Sequence, residues 1–221
     1  MSGAGVRTYP PMVLKRIKKD LSSLMKEPVI NAAASPNNSD LTFWDAIIRI
    51  PITHTKQTHV DLHFNILFPS DYPTSAPSIG FTVTFPYSFG ASYVKSDGPL
   101  KGKFVLYMDI LGNFDHVHTE WKTNVGSGWS PSYNVSSLLL NLQTILTELD
   151  GTLDQQSRNK LVDQTERFFN ENPDTHLNVP TTKSAESEKI ASMLTKEGLQ
   201  FAKEIEIDEC PIKMNDLNEI S

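Results

Sequence analysis

Between residues 60 and 85 two stretches of alternation flank a segment that neither a helix nor a strand can use. Val60, Leu62, Phe64, Ile66 and Phe68 take every second position, with Asp61, His63 and Asn65 between them. Period two sends the apolar set to one face and the polar set to the other, the pattern of a half-buried strand in an antiparallel sheet. Ile79, Phe81, Val83 and Phe85 repeat it. The connection carries Pro69, Pro73 and Pro77. Each proline lacks an N–H and fixes φ, so this link is semi-rigid and irregular.

Helical signals bracket these strands. Pro10-Pro11 precedes Leu14, Ile17, Leu21 and Leu24, which share one helix face, and Lys15, Lys18, Lys19 and Lys26 fall mostly on the other. This helix should end before Pro28. Residues 31–40 read as a loop, Phe43 to Ile50 as a first strand, 86–103 as an irregular stretch, Phe104 to Met108 as a short strand and 112–128 as a long loop. Asn134 is an N-cap candidate for a helix to about Leu149, with Val135, Leu138, Leu142, Ile145 and Leu149 as its buried stripe. A further helix covers about 154–170. Helix, meandering strands, irregular crossing and helices make an α+β architecture of about four antiparallel strands flanked by helices. Residues 1–9 read as an N-terminal arm and 10–171 as one domain. Residues 172–221 read as a linker, an amphipathic helix and an acidic C-terminal tail.

Composition excludes several classes of function. The net charge of −6 argues against a nucleic-acid binder, which needs clustered cations. No apolar run approaches the roughly 18 residues that span a bilayer, so no membrane insertion is expected. The first residues lack the apolar core of a secretory signal, which makes the cytoplasm the default compartment. The single cysteine, Cys210, allows no internal disulfide. Asp115, His116, His118 and Glu120 share one loop, but no further ligand cluster joins them, and solvated loop residues are the better reading. No metal or other cofactor is expected.

Four ordered motifs carry a resemblance. Val13 to Leu21 is similar to the first helix of the ubiquitin-conjugating enzyme family, and Phe43-Trp44-Asp45-Ala46 resembles its first strand. Ile66-Leu67-Phe68-Pro69-Ser70-Asp71-Tyr72-Pro73, closing at Pro77, resembles the family's proline loop. Gly128-Trp129-Ser130-Pro131-Ser132-Tyr133 resembles its tryptophan-serine-proline turn. The likeness covers about residues 12–150 and implies the ubiquitin-conjugating fold. Leu106-Tyr107-Met108-Asp109-Ile110-Leu111 then corresponds to the strand that in the family reads roughly Ile-Cys-Leu-Asp-Ile-Leu. The family's cysteine carries ubiquitin as a thioester; here its place is held by Tyr107.

The resemblance implies a second loss. The family sets a His-Pro-Asn turn before its cysteine, whose asparagine steadies the oxyanion. Between Phe81 and Tyr107 this chain has no histidine, asparagine or cysteine. A thiol is partly ionised at neutral pH and strongly nucleophilic, whereas a phenol with a pKa near 10 stays protonated. Cys210 lies among Glu206, Asp208 and Glu209, which disfavour a thiolate. An inactive protein is expected, with Tyr107 a partly exposed contact residue over the former active site.

What remains is binding. By resemblance, partner contacts would come from Lys15, Lys18 and Lys19, from Tyr72, Pro73 and Thr74, and from Ser130, Pro131 and Ser132. The three lysines read equally as a solvated helix face. Thr74 stands where the family often has a bulky hydrophobic anchor for ligases, which weakens docking by that route. In the tail, Ile190, Leu194, Phe201 and Ile205 are spaced four, seven and four, a stripe that would fold back on the domain, enter a partner's groove, or order only on binding. The expected function is a non-catalytic binding or regulatory module for ubiquitin or a conjugating-enzyme partner. The alternative is an architectural subunit of a larger assembly.

Overall fold

The structure is a computed structural model describing residues 8–37, 40–86, 92–111 and 128–181. Helix α1 (Pro11–Lys26) starts at the two prolines and stops before Pro28. Strands β1 (Ala32–Asn37), β2 (Asp40–Pro51), β3 (His59–Leu67), β4 (Ser78–Phe81), β5 (Ser92–Val94) and β6 (Phe104–Leu106) follow. Helices α2 (Val135–Thr147), α3 (Leu149–Thr152) and α4 (Gln155–Glu171) come after them. The six strands form one antiparallel sheet in the order β1-β2-β3-β4-β6-β5. The fold is α+β, as expected, with two strands more than the sequence suggested.

Both extra strands correct the reading of loops. Ala32-Ala33-Ala34-Ser35-Pro36-Asn37 has little strand propensity, yet Ala32 pairs with Ile48 and Ala34 with Ala46 along β2. Partner pairing decides here, and as an edge strand β1 tolerates Pro36. β5 pairs Ser92 with Leu106 and Val94 with Phe104. The last strand is shorter than expected, ending at Leu106, and a 3-10 turn over Asp109–Leu111 follows. The single helix expected to about Leu149 stops at Thr147, and Leu149–Thr152 forms a separate turn. Asn134 caps α2 as predicted, its side-chain oxygen accepting from the Ser137 amide at 2.8 Å.

The inner face of the sheet carries Trp44, Ala46, Ile48 and Ile50 from β2 and Val60, Leu62, Phe64 and Ile66 from β3, all buried in one core with α1 and α2. In α1 the buried stripe is Val13, Ile17, Asp20 and Leu24, while Leu14 and Leu21 are only partly covered. The outer face was expected to meet water, and at its centre it does not. Ala33, Ile47 and Val179 form a second apolar cluster with Phe169 and Leu177. His63 and Asn65 are 1% and 3% exposed. α4 lies across this face, setting Phe168 at 4.5 Å, centroid to centroid, from the His63 ring. A sheet covered on both sides removes water from its polar positions, and those positions then need partners. Asp45 supplies them, accepting from Asn65 Nδ2 at 2.7 Å, from Asn37 Nδ2 at 2.5 Å, and bonding His63 Nε2 at 3.0 Å. Gly80 makes room beside them: a Cβ there would lie 2.7 Å from the Lys103 side chain, whose Nζ reaches to 5.6 Å from the Phe168 ring centre.

Candidate functional site

Three segments distant in sequence meet at one corner: α1, the proline loop and the Trp-Ser-Pro turn. Tyr72 is 1% exposed, and its hydroxyl donates to the Asp20 carboxylate. Burial, followed by that bond to Asp20, pushes the phenol well above its ordinary pKa. Trp129 Nε1 donates to the Pro73 carbonyl at 2.8 Å, tying the turn to the loop. The Tyr72–Pro73 peptide is cis. Tyr9 hydroxyl donates to the Phe68 carbonyl at 2.7 Å, so the segment before α1 reaches the start of the same loop.

Arg16 joins all three segments. Its Nε bonds Asp20 at 2.9 Å, Nη1 donates to the Pro131 carbonyl at 3.0 Å, and Nη2 donates to the Tyr133 carbonyl. Its guanidinium carbon lies 5.5 Å from the Tyr72 ring centre. A planar five-donor head reaches these separated acceptors while stacking on the ring, a geometry that a compact ammonium lacks. Arg16 and Asp20 were not picked out from the sequence as site residues. Their signal was present: the i,i+4 Arg–Asp spacing, with the only arginine and the only acid of a lysine-rich helix.

This corner sorts the residues expected to meet partners. Lys15, Lys18 and Lys19 are exposed, as are Thr74, Pro131 and Ser132; Pro73 and Ser130 are half-buried. Tyr72 is a correction. It is a core residue that builds the loop, and burial leaves it no surface to offer a partner.

Tyr107 follows β6 directly. Leu106 and Met108 on either side of it are core residues, and Phe104 packs against the same core. Tyr107 itself is half-buried, with its ring centroid 5.3 Å from that of Tyr93 on β5. Tyr93 is 39% exposed, so the pair sits at the surface beside the sheet's last strand. Nothing is described for the Asp115–Glu120 loop, for Ile190, Leu194, Phe201 and Ile205, or for Cys210, which lie outside the described residues. No helix among the described residues is long and apolar enough to cross a membrane.

A helix-flanked antiparallel sheet with a proline loop locked to a Trp-Ser-Pro turn defines the class, and comparison with known families gives it a name. Residues 16–176 match the model of the ubiquitin-conjugating enzyme family, and the chain belongs to that family. Among solved structures, human ubiquitin-conjugating enzyme E2 G1 is similar at 21% identity and a TM-score of 0.44, over 64% of this chain and 99% of that one. The assignment rests on the family match.

Proposed function

We propose that this protein is a non-catalytic member of its family that works by binding, as a regulatory module for ubiquitin or for an active conjugating enzyme. One reading of the sequence carries the proposal: by the resemblance of Leu106-Tyr107-Met108-Asp109-Ile110-Leu111 to the family's strand, Tyr107 corresponds to its cysteine, and residues 82–106 contain no histidine, asparagine or cysteine. A tyrosyl ester is a poor acyl carrier, and a neutral phenol is a poor nucleophile. The half-buried setting of Tyr107 against Tyr93 suits a packing role. The locked corner supports the binding half of the proposal, because it presents Thr74, Pro131 and Ser132 on a frame held by Arg16.

Incubation with activating enzyme, ATP and ubiquitin tests the chemistry. No adduct is expected; a product that resists thiol, yields to hydroxylamine and is lost in Tyr107→Phe would place an ester on Tyr107 and overturn the proposal. Titration with ubiquitin and with conjugating enzymes, followed by amide shifts, tests the binding. Shifts at Lys18, Thr74 and Ser132 are expected with at least one of them.

A second reading is an architectural subunit that reuses the fold, favoured by the small exposed Thr74 where the family often places its ligase anchor. Native purification separates the two. Recovery in a stoichiometric assembly supports the subunit, and recovery as a free monomer counts against it.

A further inference from the structure

An apolar groove of about 150 Å³ runs between α1 and the edge strand β1. Leu21 and Met25 line it from the helix, Val29 and Ala34 from the strand side, and Leu177 and Pro180 close its end. The last two belong to the segment that follows α4, and the Asn31 amide donates to the Pro180 carbonyl at 2.7 Å. The described residues therefore end next to the groove, at Thr181, and forty residues of sequence follow.

We propose that this groove is the docking site of the chain's own C-terminal segment, with Phe201 as its anchor. Three observations select that occupant. The volume is that of a cavity that takes one benzene ring. Phe201 is the only aromatic residue after Thr181, and it lies on the stripe formed with Ile190, Leu194 and Ile205. The tether is short. Nineteen residues lie between Thr181 and Phe201, and a short tether that can turn back holds a ligand at high effective concentration.

Charge favours the same occupant. Lys15, Lys18, Lys19 and Lys26 are exposed on α1 and make no ion pair among the described residues. Lys18 stands three and seven residues before Leu21 and Met25, so it borders the groove. Residues 206–221, which follow the stripe, hold five carboxylates against one lysine. Seating the stripe in the groove brings this acidic end to the lysine face. The docked tail then covers a surface that the proposed function offers to partners, while the contact itself is independent of that function and is measured without any partner.

The lone cysteine provides the test. A nitroxide attached to Cys210 of the full chain marks the tail without substitution, and amide intensities are compared before and after its reduction. Signal loss is expected in α1 and β1, and none in β5 and β6 at the far edge of the sheet. Phe201→Glu in the tail and Met25→Glu in the groove should each restore the lost intensity, with β5 and β6 shifts unchanged to report an intact fold. Absence of the loss overturns the proposal. So does loss that survives Phe201→Glu, which reports the tether alone. In a mixture of nitroxide-bearing and isotope-labelled chains, loss on the labelled chain would identify a second copy as the occupant and overturn docking in cis.

Discussion

The two faces of the central sheet are both buried at their centre but are held by different forces. The inner face is apolar throughout, with Trp44, Phe64 and Ile66 each 0% exposed among helices α1 and α2. The outer face is buried around Asp45, His63 and Asn65, with Lys103 crossing to Phe168. Shape complementarity alone settles the first, and its strength scales with area removed from water. The second depends on polar groups finding partners, and His63 Nδ1 is buried without a hydrogen bond among the described residues. The contrast predicts a sheet with one face indifferent to pH and one face that responds to it.

Substitutions should separate the faces by size and by pH dependence. Phe64→Ala removes a ring 5.1 Å from Phe81 and should cost about 4 kcal/mol, with no change in how stability depends on pH. Asp45→Ala leaves His63, Asn65 and Asn37 facing an uncharged gap and should cost about 3 kcal/mol, measured by denaturant unfolding. A loss under about 0.5 kcal/mol would mean that the network is ornamental.

Acid should reveal the outer face specifically. Burial lowers the His63 pKa, against the pull of its bond to Asp45 and with a smaller push from Lys103. The unfolded chain therefore takes up a proton below about pH 6.5 where the folded chain does not, and stability falls as pH drops through that window. His63→Phe should flatten this part of the profile while keeping a ring against Phe168. The smallest effect belongs to a feature neutral to the comparison: Asn134→Ala should cost about 1 kcal/mol through its lost cap, at acid and neutral pH alike.

The inner face was readable from sequence because its residues repeat at period two over a long run, from Val60 to Phe68. The outer face was not, because Asp61, His63 and Asn65 are what a solvated face would also show. Only the packing of α4 decides their burial, and that contact joins residues about a hundred positions apart. β1 was hidden for a related reason: three alanines, a serine and a proline become a strand only because β2 pairs with them. At the corner, the loop and the Trp-Ser-Pro turn announced themselves through prolines and tryptophan. The clamp between them did not, since Arg16 looks like one more cation in a basic helix until its carbonyl partners are known.

That clamp has a kinetic consequence. Arg16 bonds helix to turn and stacks on the loop's Tyr72 ring, so a partner that docks at Thr74 and Pro131, as proposed, would meet a surface already tied together. Little conformational freedom is surrendered on contact, and encounter leads directly to the bound pose. Partners that differ in affinity for this surface should then arrive at similar speeds and differ in how long they stay.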